Sequence, residues 1–110
     1  MNVKTLKRRV QQETARLHKN LVELSRTIHL HPELGFKEFQ AAENLTAFLE
    51  RQGFKVERGI GGLPTAFRAR QRGKRGGPTV AIIAEYDALP GLGHACGHNL
   101  IGTAGVGAGA

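Results

Sequence analysis

The chain has 110 residues, a net charge of +7 and 40% hydrophobic residues, which bounds it to one domain or part of one and excludes a disordered polymer. Its single cysteine excludes an internal disulfide and fits either a reducing compartment or a thiol kept for chemistry. No apolar run reaches the ~18 residues of a membrane span. The opening MNVKTLKRRVQQ also lacks the apolar core of a signal peptide. These features predict a cytoplasmic, soluble protein with no membrane contact.

The first segment is patterned as a helix. Leu6, Val10, Leu17, Leu21, Leu24 and Ile28 recur at spacings of three, four or seven, which places them on one stripe. Pro32 stops that helix near His31. A second helix is expected over 37–52, with Phe39, Ala42, Leu45, Phe48 and Leu49 inward and Gly53 as its stop. The pattern then alternates in FKVER (54–58) and TAFRAR (65–70), as half-buried strands do, before the turn QRGKRGGP. TVAIIAEY (79–86) is nearly continuous in apolar residues, the mark of a central strand covered on both faces. A motif rich in reactive side chains follows its C-terminal end, the edge of an α/β sheet at which ligands bind. The last stretch, NLIGTAGVGAGA, is small and apolar; its glycines suit a helix that approaches the sheet closely. Two helices, this last segment and three strands do not close a layered domain, so the chain is expected to be part of one.

The basic residues fall into two groups. Lys4, Lys7, Arg8, Arg9, Arg16 and Lys19 lie along the first helix, and Arg68, Arg70, Arg72, Lys74 and Arg75 lie across a Gly-rich turn. Neither group comes with a stacking platform or zinc-finger spacing, so a solvated surface is preferred to nucleic-acid binding. A small basic module for nucleic acid or another acidic partner is the alternative function.

Cys96-Gly97-His98 is the first chemical candidate. Thiolate and imidazole both suit zinc and its neighbours, and the intervening glycine lets both point at one ion. Two ligands do not make a site, and on spacing alone a buried cysteine beside a hydrogen-bonded histidine is the preferred explanation of the motif. A second possibility is a thiol activated by His94 and His98, with Asn99 as the only nearby amide for an oxyanion hole. Glu85 and Asp87, at i and i+2 on the apolar strand, share a face and could aim at one point, as ligands or as partners that orient a ligand. His29 and His31 fall on different faces of a helix and are not a ligand pair. Glu33 and Glu38 read as helix-end charges.

Together, RTIHLHPELGFKEFQAAENLTAFLERQGFKV and VAIIAEYDALPGLGHACGHNLIG resemble the N-terminal part of the dinuclear-metal aminoacylase/carboxypeptidase family, peptidase family M-twenty. The nearest branch is that of the aminobenzoyl-glutamate hydrolase subunits and the β-alanyl-lysine dipeptidase-like proteins. The resemblance runs from about Leu21 to the C-terminus and raises the metal reading above the bland one. It implies the N-terminal portion of a layered α/β metallohydrolase catalytic domain with two zinc or manganese ions. Cys96 and His98 match the branch's metal ligands, and Asp87 matches an aspartate that orients the metal site. Glu85, His94 and Asn99 are left as possible site-lining residues. HPELGF (31–36) is a signature at the helix end and not a ligand. The implied substrates are N-acyl amino acids or dipeptide-like molecules, with a homodimer in the family.

Relatives of the hippurate hydrolase type carry aspartate where Asn99 stands and a longer insertion after DALP, so the resemblance favours the aminobenzoyl-glutamate branch. Glu85 stands where other branches have a histidine ligand or an aspartate. The family's catalytic glutamate, its remaining ligands and its dimerisation domain have no counterpart in residues 1–110. The expectation is a partial catalytic domain, inactive alone.

Overall fold

Leucines spaced three and four apart need a helix to bring them to one side, and the computed structural model, which describes all 110 residues, places them on α1 (Val3–Leu30). The side chain of Asn2 accepts the Thr5 N–H at 2.8 Å and so satisfies a donor of the first turn. At the other end Pro32 forbids continuation, and the His31 ring reaches the Thr27 carbonyl at 2.9 Å. The apolar stripe is buried unevenly. Leu17, Leu24 and Ile28 are buried, whereas Leu6 and Val10 are 47% and 65% exposed. The reason is length: at 1.5 Å per residue α1 runs about 42 Å, beyond the shorter helices packed on it.

The second helix, α2 (Phe39–Arg51), is capped from a distance. The carboxylate of Glu33 accepts the N–H of Gln40 at 3.0 Å and of Ala41 at 2.8 Å, two of the donors a helix start leaves open. Glu38 accepts the Lys37 N–H at 2.7 Å. Leu45, Phe48 and Leu49 are buried. Phe39 is 58% exposed rather than inward, because Ala41, Leu45 and Phe48 form the i, i+4, i+7 row that meets the core, and Ala41 takes the buried place expected of Ala42. Gly53, with φ at +91°, turns the chain out of the helix in the left-handed region that glycine tolerates.

A hairpin follows. β1 (Lys55–Arg58) and β2 (Phe67–Arg70) pair antiparallel, and Glu57 lies opposite Arg68 with its carboxylate 2.9 Å from the guanidinium. Phe67 and Ala69 lie against the core while Arg68 and Arg70 face water.

Residues 79–86 depart from expectation. They form no strand: their backbone makes no backbone–backbone hydrogen bond, and Val80 and Ile83 are 82% and 92% exposed. A central strand needs a ladder on its edges, and β1 and β2 pair only with each other.

The segment is instead backed by α3 (His98–Gly109). A Cβ on Gly105 would fall 2.8 Å from that of Ala84, and one on Gly107 would fall 3.1 Å from Leu21. The small residues thus let α3 press against both α1 and the unpaired segment. The core comprises Leu17, Leu24 and Ile28 of α1, Ala41, Leu45, Phe48 and Leu49 of α2, and Val106 of α3. Three helices on a two-stranded sheet make a mixed α/β arrangement, the class expected. No helix is long and apolar enough to cross a membrane.

Candidate metal centre

The loop between residues 87 and 98 is braced by backbone. The Ala88 N–H donates to the Glu33 carbonyl at 2.7 Å, and Leu34 bridges Ala88 in parallel register. Glu33 therefore joins the start of α2 to the loop, with its carboxylate on one and its carbonyl on the other. Leu89 donates to the Gly93 carbonyl at 2.9 Å and closes a tight turn in which Gly91 and Gly93 take φ of +70° and +67°. Gly97, at φ +77°, then turns the chain into α3.

His98 opens α3 between two carboxylates. Its Nδ1 lies 2.8 Å from Asp87 Oδ1 and 3.0 Å from the Asp87 carbonyl, and its Nε2 lies 3.0 Å from Glu85 Oε2. A neutral imidazole carries one N–H. With that proton donated from Nδ1 to Asp87, the Nε2 lone pair faces a carboxylate, an arrangement that calls for a cation between them, either a proton or a metal ion. Glu85, Asp87 and His98 present donor atoms within 4.8 Å of one another. An ion at the Nε2 edge of His98 would meet the Glu85 carboxylate, with Asp87 on the opposite edge of the ring holding Nδ1. The Glu85 side chain is 66% exposed, so an ion has an open approach.

The other candidates sit differently. Cys96 is exposed and is not part of this triad. His94 is buried, neither ring nitrogen has a hydrogen-bond partner, and its ring stacks on His29 with centroids 6.4 Å apart. Burial, with the neighbouring His29 and His98, holds its pKa below the usual histidine range. Asn99 is buried and turned to α1, where its amide donates to Ser25 Oγ at 3.1 Å. With His98 engaged by carboxylates on both nitrogens and His94 unpartnered, no imidazole pairs with the Cys96 thiol. The structure brings together Glu85, Asp87 and His98 and leaves Cys96, His94 and Asn99 outside that set.

Sequence reasoning missed Tyr86, whose hydroxyl donates to the Thr65 carbonyl. A lone aromatic between two acids carries no periodic signal. In the basic turn, Arg68 is paired with Glu57, while Arg72, Lys74 and Arg75 are exposed.

No protein-family model matches the chain. Individual relatives do. The chain is 44% identical to the Xaa-Arg dipeptidase of Mus musculus over 94% of its own length and 26% of the relative's. It is 44% identical to a subunit of the p-aminobenzoyl-glutamate hydrolase of Escherichia coli over 67% of its length and 18% of the relative's. It is 33% identical to the N-acetylcysteine deacetylase of Bacillus subtilis over 79% of its length and 28% of the relative's. The chain thus spans less than a third of each of these relatives.

Proposed function

This chain belongs to the amidohydrolases of peptidase family M-twenty, whose N-terminal part it matches, and on that footing we propose that it supplies part of the metal centre of an enzyme that hydrolyses amide bonds to amino acids. The observation that carries the reading is His98 held between Asp87 and Glu85. The substrate class is N-acyl amino acids or dipeptide-like molecules, because the names of the three relatives share an amide bond at an amino acid.

The donor set of imidazole and carboxylates, with a thiol close by in sequence, suits zinc or manganese, two ions in the complete family site. A divalent ion held at His98 and Glu85 would supply a Lewis acid for an amide carbonyl and a lowered pKa for bound water. Asp87 fixes the His98 tautomer by accepting the Nδ1–H, which leaves the Nε2 lone pair free for an ion. Glu85 offers a carboxylate from the other side, and Cys96 is the further ligand offered by the turn before Gly97. His94 stacks on His29 beside the loop, and Asn99 is directed to Ser25 of α1. Glu85 and Asp87 are both committed to His98, which leaves no carboxylate at the site free to act as general base. The chain by itself, a partial catalytic domain, is therefore expected to bind metal without turnover. The basic-module alternative is weaker, since Arg68 already has its counter-charge.

The test is calorimetric titration of the chain with zinc and manganese, beside an amide-hydrolysis assay. Zinc binding should be lost in His98→Ala and weakened about 10–100-fold in Asp87→Asn. Binding untouched by His98→Ala would falsify the metal reading. Hydrolysis by the isolated chain that His98→Ala abolishes would overturn the expectation of inactivity.

A further inference from the structure

Residues 79–86 reach the metal centre without a backbone ladder, yet Glu85 and Asp87 converge on one imidazole. Something other than a ladder must hold them. Between them in sequence, Tyr86 turns to the hairpin instead. Its hydroxyl donates to the Thr65 carbonyl, and its ring stacks on Phe67 with centroids 5.9 Å apart and planes 24° from parallel. Thr65 is itself 4% exposed, a fixed point in the fold. Opposite the Tyr86 Cβ stands Gly102 of α3, where an added Cβ would lie 3.3 Å away, so the tyrosine is gripped from both sides.

We propose that Tyr86 is a positioning residue for the metal centre: its bond to the Thr65 carbonyl and its stack on Phe67 hold Glu85 and Asp87 at His98. The inference rests on the metal reading of that cluster. Donors must sit within about 0.5 Å of their productive places, and a segment without a ladder holds such precision only through side-chain anchors. The next backbone tie, from Ala88 to Glu33, comes after Asp87, so at Glu85 the backbone is held by packing against α3 alone, without a hydrogen bond.

The experiment is zinc calorimetry on the 110-residue chain, on Tyr86→Phe, on Glu85→Gln and on the double variant. Tyr86→Phe keeps the ring and loses only the hydroxyl. It should weaken zinc binding about tenfold, in the range seen for groups that orient ligands, with the helical circular dichroism retained. In the Glu85→Gln background the same change should cost much less, because the route through that carboxylate is gone. Equal affinity of Tyr86→Phe and the parent overturns the proposal alone, as does an undiminished loss in the Glu85→Gln background. Absence of zinc binding by the parent overturns the metal reading and this proposal with it. A second readout needs no substitution at Tyr86. It is the chain's one tyrosine and there is no tryptophan, so the intrinsic emission comes from this position. Zinc should change that emission in the parent and leave it unchanged in His98→Ala. Saturation of the parent with no change in emission also overturns the proposal.

Discussion

In the helical half of the molecule, Leu17, Ile28, Leu45 and Phe48 are all 3% exposed or less, whereas in the apolar run before the metal centre Val80 and Ile83 are 82% and 92% exposed. Both regions are rich in large apolar side chains. They differ in where their hydrogen bonds are made. A helix closes its backbone bonds within itself, so α1 and α2 need from each other only an apolar stripe. A strand closes them only across an edge, and residues 79–86 meet none. The same contrast governs the site. His98 rides on a helix, while Glu85 and Asp87 hang from the unpaired run and are placed by Tyr86 and by the brace from Glu33.

The largest expected effect sets the two regions directly against each other. Phe48→Ala should destabilise the chain by about 3–5 kcal/mol, the cost of emptying a packed core site. Ile83→Ala should stay within about 0.5 kcal/mol, as an exposed position does. Urea unfolding followed by helical circular dichroism measures both. A cost for Ile83→Ala near that of Phe48→Ala would mean that the apolar run is covered in solution, and the contrast would fail.

Gly105→Ala probes the seam between the regions. Its new methyl would meet Ala84 at 2.8 Å, well inside van der Waals contact. Overpacking of this kind costs about 1–3 kcal/mol, against a gain of up to about 1 kcal/mol from helix propensity. A lowered thermal midpoint is expected. A raised one would show that residues around Ala84 are not held against α3.

The smallest effect lies in the hairpin. The hydrogen bond from Arg68 holds the Glu57 carboxyl below its ordinary 4.5. A carboxyl lowered in the folded state contributes stability above its unfolded pKa and loses it as pH falls through the folded one. The stability difference between parent and Glu57→Gln should therefore be present at neutral pH and shrink on acidification below about 4.5. Because the pair is exposed, it should be slight and should fade with salt. A difference that grows on acidification would contradict the pairing.

Much of the local structure was legible in the residues themselves. The spacing of leucines in α1, the stop at Pro32, the left-handed Gly53 and the alternation in the hairpin each depend on neighbours a few positions away. Glu33 as a helix-end charge was readable for the same reason, whereas HPELGF paired with EYDALPGLGHACGHN was legible only through the family resemblance. The stripe on α1 was legible as a stripe, but not the point at which its burial stops.

What the residues alone determined, then, is periodicity, turn chemistry and the kinds of donor atom available near residue 90, because those follow from local backbone preference and side-chain type. Tertiary structure decided which donors meet. His98 bonds a carboxylate 11 positions away, Asn99 turns to Ser25 across 74 positions, and Tyr86 finds Thr65 across 21. It also decided that the apolar run 79–86 has no ladder. Sequence spacing tells which face of an element a side chain occupies, but a contact between elements depends on how their surfaces pack. Packing is settled by the summed burial of the whole chain, and no single stretch of it contains that sum.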